Sequence, residues 1–191
     1  MEPQVIAMLP ALVWLIAAAA LVFFMQAGFA VLEAGAVRHK NSINVALKNV
    51  VDLCCSFAAF FVVGYALMFG ASQAGLIGAP DLFLGGRPEV DPSASDVFGM
   101  FPIANFLFQA TFCATAATIV SGGVAERCRF LPYVIVSTGV GLLIYPAFGH
   151  WAWGGGWLKQ LGYHDFAGSS VVHLLGAGVT LAGLQVLGAR S

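Results

Sequence analysis

A histidine near the end of this chain is the residue whose type and position most clearly suggest chemistry. His173 lies inside the apolar stretch 166–188, and Asp165 directly precedes that stretch. Hydrocarbon does not solvate an ionisable side chain, so within a membrane helix it usually faces a cavity or a partner. A helical rise of about 1.5 Å per residue places His173 roughly 12 Å below Asp165, near the middle of a bilayer core. We therefore interpret His173 as functional rather than structural.

Tryptophan and glycine cluster just before this pair. Trp151, Trp153 and Trp157 surround three consecutive glycines. Tryptophan favours the membrane interface, which would explain the cluster as an aromatic belt. Glycine also allows sharp turns and close backbone approach, and an indole face attracts cations. Asp165 is either the N-cap of the next helix or a source of negative charge for such a cation site.

A phenylalanine pair and the other histidines carry weaker signals. Phe108 and Phe112 are four residues apart and share one helix face, which is more often a packing surface than a site. His150 and His164 are expected near the membrane interface, where a solvated histidine needs no special role. Haem ligation by His150 and His173 would require both at one depth, so we disfavour it.

The composition is that of a membrane protein. Hydrophobic residues make up 60% of the chain and charged residues 9%, against about half and a quarter in soluble domains. Five apolar stretches reach the roughly 20 residues that a bilayer-spanning helix needs, and none alternates like a barrel strand. We predict an all-α integral membrane protein in which residues 1–191 form one transmembrane domain. The predicted helices are 9–34, 43–70, 98–123, 130–150 and 166–188.

Lysine and arginine positions predict the orientation. With alternating helix directions, six of the eight basic residues fall on one side, which the positive-inside rule makes cytoplasmic. Arg87 and Lys159 fall on the other side, together with an acidic loop at 71–97. We expect a multi-pass cell-membrane protein with its N-terminus outside and its C-terminus in the cytoplasm. The six cytoplasmic residues are Arg38, Lys40, Lys48, Arg127, Arg129 and Arg190.

The four cysteines predict neither disulfides nor a metal site. Cys54, Cys55 and Cys113 fall within predicted helices, and Cys128 lies on the cytoplasmic side, where thiols stay reduced. Their spacing lacks the ligand pairs of a metal centre. We expect no cofactor, no metal and, at a formal net charge of −1, no nucleic-acid partner.

An odd number of helices indicates one half of a larger unit. Many transporters consist of two inverted halves with the substrate path between them. The chain contains no internal repeat, so a partner half would lie outside these 191 residues. We expect a fragment, a truncated product or a piece of a larger protein.

Six segments form an ordered set: residues 26–35, 38–41, 108–112, 125–127, 153–156 and 165–173. On these segments the chain resembles the N-terminal half of the ammonium transporter (Amt/Mep/Rh) family over essentially its whole length. The resemblance implies the first five of eleven transmembrane helices, arranged as one of two inverted five-helix halves. It also implies a trimer of complete subunits and ammonium transport through each subunit, without enzymatic catalysis.

The resemblance assigns roles by position. Phe112 matches a gating phenylalanine above the pore, and Phe108 matches its aromatic neighbour. Trp153 matches the aromatic wall of the external ammonium site, and Asp165 matches an aspartate that supports this site without touching the ion. His173 matches the first of two histidines that line a hydrophobic pore.

The implied mechanism recruits ammonium outside, removes its proton and conducts ammonia past His173. An apolar pore solvates a bare ammonium ion poorly, which favours deprotonation, and neutral imidazole offers one donor and one acceptor. The family's second gating phenylalanine, its external-site serine and its second pore histidine belong to later helices. The alternative is an ammonium-sensing module of a larger signalling protein. Expected partners are ammonium or ammonia, the lipid bilayer and a cytoplasmic regulatory protein.

Overall fold

The computed structural model describes residues 3–79, 81–86 and 90–190. Five helices within these ranges are long and apolar enough to cross a membrane, which confirms the predicted class and helix number. Arg87, which contributes to the predicted orientation, lies outside the described residues. The helices are α1 (Pro3–Ala36), α2 (His39–Phe69), α3 (Pro102–Val124), α4 (Phe130–Gln160) and α5 (Ser169–Leu187).

Helix boundaries differ from the predictions where a proline or a glycine determines the first residue of a helix. α3 begins at Pro102 rather than at residue 98, because proline lacks the N–H that would continue a helix and suits a first turn. The preceding Val97–Met100 forms a separate short helix. α5 begins at Ser169 rather than at residue 166, after Gly168 adopts a left-handed conformation with φ 87°. The regular part of α4 ends at Ala152, slightly beyond the predicted residue 150.

The connection between α1 and α2 is shorter than predicted. α1 continues to Ala36 and α2 already begins at His39. Lys40, predicted to lie between the first two helices, therefore lies within α2, and Lys48 lies within it as predicted. Lys48 is only 3% exposed, and its Nζ donates to the Cys128 carbonyl oxygen at 2.6 Å. The lysine thus satisfies a loop carbonyl between α3 and α4 instead of facing water.

α3 lies at the centre of the bundle, with α1, α2 and α5 packed around it. Small buried side chains on α3 let neighbouring helices approach closely, as is usual in membranes. On α5, a methyl group added at Gly176 would lie 3.0 Å from the Ala116 carbonyl oxygen. The fully buried alanines of α3 are Ala110, Ala114, Ala116 and Ala117.

Three of the helices contain π-helical turns, which often mark functional sites. They lie at Phe60–Gly64 in α2, at Val140–Ile144 in α4 and at Ser169–Leu174, where α5 begins. The first two meet closely, because a Cβ at Gly64 would clash with the Gly141 carbonyl oxygen. Packing of α2 against α4 therefore depends on glycine at this crossing.

Candidate functional site

Three of the aromatic residues selected from the sequence lie together in the structure. The Phe108 and Phe112 rings pack edge to face with centroids 4.8 Å apart, and Phe112 lies 6.5 Å from Trp153. Phe98 extends this group by stacking on Phe108 at 6.3 Å. Sequence reasoning missed Phe98, because it belongs to the separate short helix and shares no periodicity with α3. These four rings are called the outer aromatic cluster, because the predicted orientation places them on the outer side of the membrane.

The three glycines after Trp153 end the regular part of α4 in a tight turn. Gly155 has φ 86°, a conformation that other residues rarely adopt. A Cβ at Gly154 would clash with the Met68 carbonyl oxygen. The Trp157 N–H then donates to the Gly75 carbonyl at 3.0 Å. Both predicted uses of glycine, turning and close approach, are therefore confirmed here.

His150 is completely buried, so the expectation of a solvated interfacial histidine was wrong. Its Nδ1 lies 2.8 Å from the Met68 carbonyl oxygen, and its Nε2 lies 2.9 Å from Ser72 Oγ. A carbonyl only accepts, so we assign the proton to Nδ1 and let Nε2 accept from the serine hydroxyl. With both nitrogens engaged, His150 links α4 to the end of α2 and to the loop that follows it, and it offers no free haem ligand. His164, by contrast, is exposed as expected.

Asp165 caps α5 and is buried, at 5% exposure. Its carboxylate oxygens accept the backbone N–H groups of residues 168–171 at 2.8 to 3.0 Å, and the Ser170 hydroxyl at 2.5 Å. Burial opposes ionisation, but the hydrogen bonds from Ser170 and the backbone outweigh it and lower the pKa of Asp165 to about 2. The carboxylate therefore satisfies the free N–H groups at the start of α5, as predicted, although the N-cap position itself is Gly168 and not Asp165. The low pKa leaves the carboxylate ionised at neutral pH.

Asp165 also holds the cluster tryptophan. The Trp153 Nε1–H donates to the backbone carbonyl oxygen of Asp165 at 2.7 Å. Because donors from its own helix already occupy both carboxylate oxygens, the charge can act on a cation through space but not as a direct ligand. The arrangement combines aromatic faces, a fixed indole and a nearby anion.

His173 lies closer to the start of α5 than predicted. The estimate of roughly 12 Å assumed a helix running from Asp165, whereas α5 begins at Ser169 and leaves a helical rise of about 6 Å. His173 Nδ1 lies 3.1 Å from the Gly168 carbonyl oxygen, so its own helix orients the ring. The side chain is exposed on the surface of this chain, outside the outer aromatic cluster.

A buried polar cluster between α1, α2, α3 and α4 was missed by sequence reasoning. Gln26 donates to Thr115 Oγ1 at 3.0 Å and accepts from Thr118 Oγ1 at 2.9 Å. Asp52 accepts a hydrogen bond from the Tyr133 hydroxyl. Its Oδ1 also lies 3.3 Å from Thr118 Oγ1, whose single hydrogen already points at Gln26 in the shorter contact. Polar residues within apolar stretches signal such contacts, but the sequence does not say which helices face each other.

Two further carboxylates connect the helices near the end of α1, the start of α2 and the end of α3. Glu33 Oε2 accepts from Asn49 Nδ2 at 2.8 Å. Glu126 Oε1 accepts from Asn41 Nδ2 at 2.7 Å and from Arg38 Nε at 2.9 Å. These hydrogen bonds, with that of Asn41 the strongest, lower the pKa of Glu126 to about 2. Two of the segments that carry the family resemblance are thus in direct contact.

Comparison with known proteins identifies relatives along nearly the whole chain. The model of the Ammonium Transporter Family matches residues 13–191. The protein sll1017 of Synechocystis sp., whose name assigns it to ammonium transport, is 49% identical over 177 residues, covering 93% of this chain and 39% of its own. The ammonium transporter Amt2 of Archaeoglobus fulgidus is 45% identical over 188 residues, covering 93% of this chain and 38% of its own.

A solved structure shares the fold. The Sensor Amt Protein matches with a TM-score of 0.85 and 41% identity, covering 94% of this chain and 44% of that chain. The chain therefore spans about two fifths of the length of the relatives that it matches, and its five helices form half of their helical fold. From the match to the family model and the agreement in fold, the chain belongs to the ammonium transporter family.

Proposed function

We propose that this chain forms the N-terminal half of a transmembrane ammonium transport unit. The observation that carries the proposal is the outer aromatic cluster, in which Trp153 lies 6.5 Å from Phe112 and is fixed by Asp165. An indole face attracts a cation, and the ionised Asp165 adds a negative field. Membership of the family and the names of the relatives support ammonium as the cation.

In the proposed mechanism, ammonium binds at the outer aromatic cluster and transfers its proton to solvent water at the outer mouth, so that ammonia enters the path. Phe112, with Phe108 behind it, gates an apolar path in which a bare cation is poorly solvated. His173 lines the path further along and guides ammonia, because neutral imidazole offers one donor and one acceptor. Only an N–H bond of the substrate breaks, so the proposed activity is transport and not enzymatic catalysis.

The proposed transport unit lies in the cell membrane and acts with several partners. The lysine and arginine distribution favours a cell-membrane protein with an outer N-terminus and a cytoplasmic C-terminus. A homotrimer of complete subunits, the surrounding lipid bilayer and a cytoplasmic regulatory protein are the proposed partners.

An ammonium sensor is the second candidate, because the matching Sensor Amt Protein bears that name. A sensor and a transporter would use the same outer cluster to bind the cation. They differ in whether bound ammonium crosses the membrane, which makes flux the property that separates them.

The test compares two tryptophan substitutions in the intact protein. Trp153→Leu removes the cluster indole and should raise the KM for methylammonium uptake about tenfold, the size of a partly desolvated cation–π contact. Trp157→Leu is the matched control, because its ring is 40% exposed and contacts Trp151 outside the cluster. Equal KM values for both variants and the wild type would contradict the proposal. Ammonium binding without flux would favour the sensor.

A further inference from the structure

We propose that Tyr163 is a positioning residue for the outer cation site and acts on Asp165 through the Ser170 hydroxyl. The inference rests on the proposed function, because it concerns the site at which ammonium is recruited. It adds a residue outside the segments that carry the family resemblance.

The geometry is a short chain of hydrogen bonds. The Tyr163 hydroxyl lies 2.6 Å from Ser170 Oγ, which lies 2.5 Å from Asp165 Oδ2. Exposure falls along this chain from 38% at Tyr163 to 6% at Ser170 and 5% at Asp165. The phenol therefore connects the outer surface to a buried carboxylate.

The direction of both hydrogen bonds follows from their chemistry. An ionised carboxylate can only accept, and a serine hydroxyl has a single hydrogen to donate. The Ser170 hydrogen must therefore point at Asp165 Oδ2, so Ser170 Oγ accepts from the Tyr163 hydroxyl. In such a chain each hydrogen bond polarises the next, so the phenol strengthens the serine as a donor.

The Tyr163 hydroxyl affects the proposed cation site because Asp165 also holds Trp153. The Asp165 carboxylate accepts the Ser170 hydroxyl, which ends the hydrogen-bond chain from Tyr163. The Asp165 backbone carbonyl accepts the Trp153 Nε1–H at 2.7 Å. A well-anchored Asp165 fixes the position of the negative charge and the tilt of the indole together. Tyr163 thus influences cation affinity without touching the cation.

The phenol can be removed without releasing its loop. The Tyr163 backbone N–H donates to the Leu158 carbonyl at 3.0 Å, and this bond does not involve the side chain. Tyr163→Phe therefore deletes one hydroxyl while leaving the backbone anchored. In the intact protein it should raise the KM for methylammonium about 2- to 10-fold, the effect of one lost hydrogen bond, and leave Vmax nearly unchanged.

His164→Gln provides the matched control. The neighbouring imidazole is exposed and lies 6.3 Å from the Phe166 ring, away from the outer aromatic cluster. This variant should keep the wild-type KM and Vmax. A loss of uptake in both variants with poor membrane insertion would indicate a loop that is merely structural and would overturn the inference.

A double-mutant cycle tests the route through Ser170. Ser170→Ala should raise KM at least as much as Tyr163→Phe, and the double variant should match Ser170→Ala alone, because residues acting in series are not additive. Additive effects, or a fall in Vmax at constant KM, would overturn the inference while leaving the proposed function intact. A wild-type protein that neither binds nor transports ammonium would instead overturn the proposed function, and this inference with it.

Discussion

Asp165 makes three kinds of hydrogen bond, each to a different group of the chain. Its carboxylate holds the first N–H groups of α5, it accepts the Ser170 hydroxyl, and its backbone carbonyl fixes Trp153. The sequence left two roles open for this aspartate, an N-cap or a charge near a cation. Different atoms of one residue serve the helix and the tryptophan, so capping and a role at the cation site are compatible.

The depressed pKa of Asp165 makes its contribution to stability depend on pH. Because the folded pKa of about 2 lies below the ordinary 3.8, the carboxylate stabilises the fold above about pH 4, and this stabilisation is lost as the pH falls towards 2. Asp165→Asn should lower the unfolding free energy by about 1–2 kcal/mol at pH 7. The difference between variant and wild type should shrink below pH 4 in thermal unfolding of the detergent-solubilised protein.

Asp96→Asn is the control for this carboxyl-to-amide change. Asp96 Oδ1 accepts a single backbone N–H, from Gly99 at 2.8 Å, and an asparagine oxygen caps a helix equally well. Its unfolding should match the wild type across the same range. A pH-independent loss in Asp165→Asn would argue that packing, not charge, carries the effect.

At the scale of elements, the five helices could be predicted because each is a long apolar run. The helix ends could not be predicted from the apolar pattern, since they depend on single residues such as Pro102 and on the left-handed conformation of Gly168. The π-helical turns were missed because they do not interrupt the apolar pattern. The burial of His150 was missed for a different reason: its partners, Met68 and Ser72, lie far away in sequence.

The crossing of α2 and α4 gives a test of element packing. A methyl group at Gly64 would clash with the Gly141 carbonyl oxygen and approach Pro146 within 3.0 Å. Gly64→Ala should therefore reduce the unfolding free energy by about 1–3 kcal/mol, the usual effect of overpacking a tight contact. Gly139→Ala, in α4 with open space around its Cβ position, should leave stability near the wild-type value. Thermal unfolding in detergent measures both, and equal stability of the two variants would contradict the proposed close contact.

At the scale of the whole molecule, the predicted site residues fall into two groups. Three parts of the chain bring together the residues that the family resemblance assigned to the gate and the external site: Phe108, Phe112, Trp153 and Asp165. His173 remains apart, because its exposed ring projects from a helix face that also exposes Leu174. How His173 becomes enclosed could not be predicted from the sequence, since it depends on what covers the surfaces that the five helices leave exposed.

The uncovered histidine leads to a prediction about the 191 residues alone. If His173 lines the path as proposed, a pore that excludes water must surround its ring on all sides. Within the described residues this ring is exposed, and Phe112 is only partly buried. Liposomes carrying only this chain should therefore show methylammonium flux equal to that of empty liposomes. Liposomes carrying the intact protein at the same density serve as the positive control, with matched insertion checked by protease protection. Substantial flux through the 191 residues would mean that five helices can enclose the path, either alone or as an assembly of copies.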